Sequence, residues 1–392
     1  MEYPFQPEVL DALPEELAEL FRALEITLLE EICSRLNAAD QLNEVTVQDI
    51  RALRTHGIDL KSIEKAISDT SGISKTKLDK LLDDVVERNQ KYYTEIIDLA
   101  HITQPETLVD AAEVAAIRTQ TLDTFRNLTA SIGFLVDNGR TMLSPAKAYQ
   151  WALDNAVMQV QNGVINYNQA IKTVVKQLAD SGLKAVDYES GHRDQIDVAA
   201  RRAVMTGVSQ ICARYTEQSA EYLETPYFEV SAHAGARDKP GPSLWSNHKD
   251  WQGKVYSVQT GDIYPSIYEV CGLGAVDGLE GPNCRHRRNV WVEGVSERTY
   301  TDEQLEHIDD GLGCTFDGKT YTAYEATQMQ RRVERQIIKQ KRLVTAYKAS
   351  EQTDEYRAAK IKLTRLNSKY NAFSEAAKLP LQWERTKVLY DR

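Results

Sequence analysis

Apolar side chains recur every three or four residues over the first third of the chain, which is the spacing of amphipathic helices. A leucine-rich stripe between residues 8 and 36 predicts one helix, with Pro14 in its first turn. Shorter helical patterns follow, punctuated by Gly57 and Gly72. These further patterns cover residues 47–53, 58–67, 74–100 and 106–135. We therefore expect residues 1–120 to form a helical region.

Three more helices are predicted in the middle of the chain, and no strand is expected before position 223. Ser144 and Pro145 form a helix start signal, because Ser caps free amides and Pro fits the first helical turn without losing a useful donor. Asn166 opens the next helix, and Gly182 is its expected end. The three helices are predicted over 145–163, 166–182 and 194–223.

The pattern changes after Pro226. Residues 227–232, 254–258 and 288–292 are short β-branched or aromatic segments with partial alternation, separated by loops rich in Gly and Pro. They predict a small antiparallel sheet, and because strands this short need cover, we expect the preceding helices to pack on it. The predicted fold class is therefore α+β and predominantly helical, with a central domain over 121–300.

The C-terminal region, residues 301–392, returns to helical periodicity. Thr301 with Gln304, and Thr322 with Glu325, have the spacing of capping boxes, in which each side chain satisfies the other residue's free amide. Two apolar stripes interrupted near residues 349–354 predict two helices that pack as a hairpin or on the body.

Charge is distributed unevenly along the chain. The total is −11, with −12 in residues 1–120 and +9 in residues 331–392. Such asymmetry is typical of a segment that meets a polyanion, so the basic tail predicts sequence-independent contact with DNA. The alternatives are a solvated helix face, an acidic partner surface or the chain's own acidic remainder. The candidate contact residues are Arg331, Arg332, Arg335, Lys339, Lys341 and Arg342.

Composition narrows the class of protein. With 42% hydrophobic and 27% charged residues, the chain lies in the ordinary globular range. No apolar run approaches the roughly 18 residues of a membrane span, so no membrane partner is expected. Five cysteines without a CxxC pair argue against a disulfide framework, and the first residues lack the features of a signal peptide. We expect the chain to fold in the cytoplasm where it is made.

The loops between the predicted strands are rich in histidine and cysteine. Because zinc takes about four nitrogen or sulfur ligands in a tetrahedron, these side chains predict a structural zinc site that pins the long loops. The alternative is a hydrogen-bonded loop network without metal, and no other cofactor is expected. The candidate ligands are His233, His248, Cys271, Cys284 and His286.

The same loops leave an enzyme open as the alternative function. A histidine, an arginine and a carboxylate such as Asp250 or Asp277 are the minimum for acid–base chemistry, so a metal-dependent nuclease or transferase is conceivable. No P-loop, Gly-x-Ser-x-Gly or His-Glu-x-x-His motif accompanies them. The sequence therefore favours a protein that is not an enzyme.

Several motifs in order resemble one known family. They are SAHAGAR at 231–237, WQGKVY at 251–256, CGLG at 271–274 and GLEGPNCRH at 278–286, with ARRAVMTG at 200–207 upstream and YEATQ at 324–328 and RRVER at 331–335 downstream. Together they resemble the minor capsid protein 2 family of tailed bacteriophages, which is similar in role to the Mu F-like head-morphogenesis proteins. The segment 238–244 is longer than in the family pattern, which leaves open whether His248 is the equivalent of the family's histidine.

The resemblance implies a structural protein of the phage head, located in the virion after assembly in the host cytoplasm. Its members are thought to act with the portal during head assembly, DNA packaging or DNA ejection, so portal and other head proteins are the implied partners. We expect the acidic helices of residues 1–120 to contact the portal. Within the motifs, scaffolding roles are expected for Gly235, Arg237, Trp251, Gly253, Gly272, Gly274, Asn283 and Arg285.

Overall fold

A long buried helix, α7 (Ile196–Tyr222), forms the centre of the fold. The computed structural model describes residues 3–40, 61–161, 167–186, 191–239, 241–281 and 284–388, and 63% of it is helical. The other helices are α1 (Pro7–Ala12), α2 (Glu15–Asp40), α3 (Lys61–Leu99), α4 (Ala111–Ala130), α5 (Pro145–Gln161), α6 (Tyr167–Ser181), α8 (His248–Trp251), α9 (Ile267–Cys271), α10 (Asp302–Glu306), α11 (Ala323–Ala349) and α12 (Thr353–Ala376).

Helices α2, α3 and α4 each pack against α7, and α2 also packs against α11. A Cβ atom on Gly207 of α7 would lie 2.5 Å from Thr121 Oγ1 of α4, so glycine permits this close helix approach. The main hydrophobic core draws side chains from Tyr3 to Ala359. One core takes side chains from the ranges 1–120, 121–300 and 301–392. The division of the chain into these three regions stays a prediction.

The predicted antiparallel sheet is confirmed. Strand β5 (Tyr227–Val230) lies between β6 (Val255–Ser257) and β7 (Arg288–Trp291), with both neighbours antiparallel. Phe228 of β5 is opposite Tyr256 on one side and Val290 on the other. Helix α7 contacts β7, so the helix that precedes the sheet covers it as expected.

The expectation of no strand before position 223 is wrong. A four-stranded antiparallel sheet has the order β2-β1-β3-β4, and the helix predicted to reach residue 135 ends at Ala130. Strands of three or four residues are too short for a period of two to stand out. The four strands are β1 (Gly133–Val136), β2 (Thr141–Leu143), β3 (Leu183–Val186) and β4 (Arg193–Gln195).

The turn between β1 and β2 carries the signal that identifies this hairpin. Asp137, Asn138 and Gly139 all have positive φ, at 50°, 56° and 83°. Asn-Gly is the preferred pair for a tight hairpin turn, because both residues tolerate the left-handed region. A second missed hairpin joins β8 (Cys314–Phe316) to β9 (Lys319–Tyr321), ahead of α11.

Two predicted helix boundaries also change. The stripe from 8 to 36 is divided between α1 and α2, and Pro14 directly precedes α2. Gly72 does not interrupt α3, which runs unbroken over 39 residues, because a glycine inside a helix costs only about 1 kcal/mol and packing offsets it. The pattern at 47–53, Gly57 and the end of the 145–163 helix lie outside the described residues.

The tail forms the predicted helical hairpin. Both capping boxes are present, with Thr301 and Thr322 each making the reciprocal pair of hydrogen bonds. Helices α11 and α12 pack along each other, with Tyr370 of α12 against Val333 and Ile337 of α11. Within the described ranges, none of the helices is long and apolar enough to cross a membrane.

A buried ion pair joins the tail to the N-terminal helices. Arg342 of α11 donates to Glu25 of α2 at 2.9 Å and to Gln195 at 2.8 Å, and the Glu25 carboxylate also accepts the backbone N–H of Leu183. Both charged side chains are almost fully buried. A buried pair of this kind is costly to break, because the remaining charge is left without a partner.

We predict that Arg342→Ala lowers the free energy of unfolding by about 3–5 kcal/mol, because it leaves Glu25 buried without its cation. Arg335→Ala is the matched control: Arg335 lies two helical turns earlier on α11 and is exposed, so its removal should change stability by less than about 0.5 kcal/mol. Urea unfolding of both variants measures the difference. Equal effects would contradict a buried pair.

Candidate functional site

Three of the five predicted metal ligands converge on one point. His248 is the first residue of α8, while Cys284 and His286 lie in the segment that leads into β7. All three side chains are buried, and one ligand atom of each lies within 4.8 Å of the others. We refer to His248, Cys284 and His286 as the His/Cys cluster.

Hydrogen bonds fix the orientation of both cluster imidazoles. His248 Nε2 lies 2.9 Å from the backbone oxygen of Asp277, which can only accept, so Nε2 carries the proton. His286 Nε2 lies 3.0 Å from Gln252 Oε1. That same oxygen accepts the backbone N–H of His233 at 3.1 Å, which identifies it as the amide oxygen. Burial lowers the pKa of both imidazoles, so both are neutral.

The two Nδ1 atoms consequently carry lone pairs, and both are directed at the Cys284 sulfur. The distance from Sγ to Nδ1 is 3.8 Å for His248 and 3.6 Å for His286. Burial raises the pKa of Cys284, so its thiol keeps one proton. One thiol proton can serve only one of two imidazole acceptors.

The other two predicted ligands lie beside the cluster. The His233 ring stacks on His286 with centroids 4.6 Å apart, but its Nδ1 contacts the Ala234 backbone oxygen at 2.9 Å. Burial lowers the pKa of His233 to about 4, which keeps it neutral. Cys271 is buried at the end of α9, and its thiol contacts the Tyr256 hydroxyl.

A search with family models matches residues 5–375 to the phage minor capsid protein 2 model. The chain belongs to the phage minor capsid protein 2 family. This minor capsid protein is therefore a structural component of the phage head, as the sequence motifs predicted. No similarity to a curated protein or to a solved structure was found.

Two of the predicted scaffold residues lie at the cluster or at the loop that orients it. Trp251 is buried against His248 and His286, with ring centroids 4.6 and 4.9 Å away. Its indole N–H donates to the Trp245 backbone oxygen at 2.8 Å. Arg237 donates to the backbone oxygen of Asp277 at 3.5 Å. Asn283 lies outside the described residues.

Two glycines in the motifs hold conformations that other residues rarely adopt. Gly253 has a φ of 70°, and a Cβ there would lie 2.3 Å from Leu305 Cδ2. Gly272 has a φ of 58°, and a Cβ there would meet the Trp245 ring. Side chains at either position would therefore clash and strain the backbone. Gly235 and Gly274 also have positive φ.

Asp277 organises the loop opposite His248. Its carboxylate accepts from the Trp245 indole at 2.9 Å and from the Ser246 hydroxyl. These two hydrogen bonds lower the pKa of Asp277 to about 2, and the one from Ser246 has the larger effect. The charged form is favoured because both donors stabilise it. Asp277 thus fixes the loop whose backbone oxygen orients His248.

Arg285 links the cluster segment to the N-terminus. It lies 3.8 Å from Asp11 at the end of α1, and Asp11 also pairs with Arg201, Arg331 and Arg385. Burial alone would raise the pKa of Asp11, but the surrounding arginines hold it below its ordinary range. We call these five residues the Asp11 cluster.

The six basic residues predicted to contact DNA do not form one solvent-facing group. Arg331 pairs with Asp11, Arg342 is buried against Glu25, Lys339 pairs with Asp180 at 3.0 Å, and Lys341 donates to a backbone oxygen at 2.9 Å. Arg332 and Arg335 are exposed and form no ion pair in the part of the chain that the structure describes. The chain's acidic remainder therefore neutralises part of the basic tail.

Sequence reasoning missed Gln252 and Asp11. Gln252 follows α8 within the WQGKVY motif, and its amide oxygen connects His233 and His286. Its place beside Trp251 in that motif was the sequence signal that could have identified it. No sequence signal could have identified Asp11, because its arginine partners lie up to 374 positions away in the chain.

We predict that Asp11→Asn destabilises the minor capsid protein by about 3 kcal/mol at neutral pH, because four arginines lose their shared carboxylate. The folded pKa of Asp11 is depressed, so its stabilisation is complete at neutral pH and is lost as the pH falls below about 4. The free energy of unfolding should therefore fall less steeply in acid for the variant. Urea titrations at several pH values measure both effects. If the free energy of unfolding fell equally steeply in acid for wild type and variant, the role assigned to Asp11 would be contradicted.

Proposed function

We propose that this minor capsid protein lies at the portal vertex, where it contacts the portal and assists head assembly, DNA packaging or DNA ejection. The observation that carries the proposal is the family match, which extends over residues 5–375. Portal contact itself rests on the resemblance in role to Mu F-like head-morphogenesis proteins. The protein would assemble from the host cytoplasm into the virion.

The apolar stripe of the N-terminal helices is used within the protein itself. The expectation of portal contact rested on a stripe that needs a partner or its own core, and Leu17, Leu24 and Leu28 of α2 are buried in the protein's own core. Their apolar area is therefore already removed from water. Portal contact through these helices stays a prediction, and an exposed apolar surface elsewhere on the molecule is better suited to it.

The loops around α9 expose large apolar side chains. Leu244 is 92% exposed, Val276 79% and Ile263 71%. The turn that carries Leu244 packs against α9, and Tyr268 on α9 is also exposed. Exposed apolar side chains concentrated in one part of a protein are typical of interaction surfaces. These loops are the contact surface that we assign to the portal.

We predict that the double variant Leu244→Asp/Val276→Asp weakens portal binding about tenfold or more, because it places two charges in an apolar contact. Folding should be unchanged, since both side chains are exposed in the free protein. Co-expression with the portal of the same phage, followed by size-exclusion chromatography and a binding titration, measures the loss.

The matched control is Ile73→Asp/Ile361→Asp, which adds the same charge at exposed apolar positions on α3 and α12. It should bind the portal as the wild type does. Equal losses for both double variants would contradict a specific surface. Separate elution of wild-type protein and portal at micromolar concentration and low salt would contradict portal contact altogether.

DNA contact is a second candidate function, and the exposed face of the tail hairpin favours it. Within the described chain, six exposed cations on α11 and α12 form no ion pair, and contacts of such residues with phosphates carry no sequence information. They are Arg332, Arg335, Lys348, Lys360, Lys362 and Arg365. The net charge of −11 opposes this encounter at long range.

We predict that wild-type protein binds random duplex DNA at low salt, and that Arg332→Glu/Arg335→Glu lowers the affinity about tenfold. The slope of log affinity against log salt should fall by about 0.9 for each phosphate that the variant no longer neutralises. Fluorescence anisotropy measures both values. Arg126→Glu/Arg140→Glu, at exposed positions outside the hairpin, is the control of equal charge. Absence of wild-type binding at the lowest salt would remove DNA from the partners.

The alternative of a metal-dependent nuclease or transferase has less support. Acid–base catalysis needs side chains that a substrate can reach, and the His/Cys cluster is buried. In the described chain, a small, partly open cavity lies between Tyr93 and Arg287 and an open groove passes Met142. Neither is lined by a residue of the cluster. The family likewise points to a structural role.

A further inference from the structure

We propose that His248 Nδ1, Cys284 Sγ and His286 Nδ1 bind one zinc ion that has a structural role. This inference is independent of the portal assignment, because it rests only on the geometry of the His/Cys cluster. Two imidazole nitrogens and one thiolate form a ligand set that binds zinc in preference to the harder divalent cations.

The two distances from the sulfur to the nitrogen donors match a zinc site. Zinc bonds of about 2.0 Å to nitrogen and 2.3 Å to sulfur at a tetrahedral angle place the two donors about 3.5 Å apart. Cys284 Sγ lies 3.6 Å from His286 Nδ1 and 3.8 Å from His248 Nδ1. Each sulfur–nitrogen pair therefore needs little movement to bind one ion.

Without an ion, the cluster has one hydrogen-bond donor too few for its acceptors. Both Nδ1 atoms accept, because their Nε2 protons are donated to Asp277 and Gln252. A cysteine side chain carries at most one proton, so one buried imidazole lone pair has no donor, which is unfavourable. Zinc removes this deficit: the thiol loses its proton to solvent as the zinc–sulfur bond forms, and both lone pairs coordinate.

The residues around the cluster make the hydrogen bonds that orient metal-binding histidines in zinc proteins. Metal-binding histidines usually donate their other ring N–H to an oxygen, which fixes the ring and the tautomer. Here the backbone oxygen of Asp277 and the amide oxygen of Gln252 take that role. Trp251 covers both rings from one side. The two supports come from separate loops, so the site is preformed by the fold.

The cluster connects two loops that lie outside the strands of the small sheet. His248 starts α8 after the loop of residues 238–247, while Cys284 and His286 precede β7. Zinc would fasten the first loop to the second. The fourth corner of the tetrahedron is left to one buried water molecule or to Cys271, which lies near Cys284 and whose thiol contacts Tyr256.

The test measures metal in full-length protein purified without a histidine tag. Elemental analysis of protein made in zinc-supplemented medium should give about one equivalent of zinc. Replacing zinc with cobalt(II) should give the absorption of a tetrahedral site with a sulfur-to-cobalt charge-transfer band. Cys284→Ser should abolish that band, and His248→Gln should lower zinc affinity at least tenfold.

Cys33→Ala is the matched control, because Cys33 is equally buried but lies on α2 in the main core. It should keep the full equivalent of zinc and the cobalt spectrum. Less than a tenth of an equivalent in wild-type protein, together with no charge-transfer band when metal-free protein is titrated with cobalt(II), would overturn the proposal. Because this titration uses wild-type protein, the result does not depend on whether the variants fold.

Discussion

The meeting of four distant parts of the chain depends on one partly buried carboxylate. Asp11 lies among Arg201 of α7, Arg285 of the segment before β7, Arg331 of α11 and Arg385 near the last described turn. Four guanidinium groups this close would repel one another without an anion between them. Asp11 offsets this repulsion, together with Glu15 beside Arg201 and Glu334 beside Arg331 and Arg385, so these four distant parts of the chain can meet.

The Asp11 cluster also holds the segment that carries Cys284 and His286 in place. Arg285 lies in sequence between Cys284 and His286, so the contact that holds Arg285 also holds the backbone carrying both of those side chains. Arg331 in turn positions the first half of α11, whose later residue Arg342 reaches Glu25. Electrostatic contacts thus set the relative positions of the helices, while the apolar core supplies most of the stabilisation.

Long elements could be predicted from the sequence, and short or distant ones could not. Helices such as α7 and the α11–α12 hairpin repeat their apolar pattern over many turns, whereas strands of three residues offer a single alternation. Even there, Asn138 and Gly139 were a usable hairpin signal. The sequence indicated five candidate ligands in loops between strands of one sheet, and three of them, His248, Cys284 and His286, lie close together. Gln252 and Asp11 were missed, since neither residue type nor spacing indicates which distant groups will surround it.

The separation of Asp11 from Arg385 has a consequence for synthesis on the ribosome. These residues are 374 positions apart, and at about 5–20 residues per second the ribosome needs roughly 20–75 seconds to make the intervening chain. During that time the apolar faces of α1 and α2 have no completed core to cover them. Apolar surface of the nascent chain therefore stays exposed until its last helices emerge, and the folding of each molecule is completed only after translation has passed the tail.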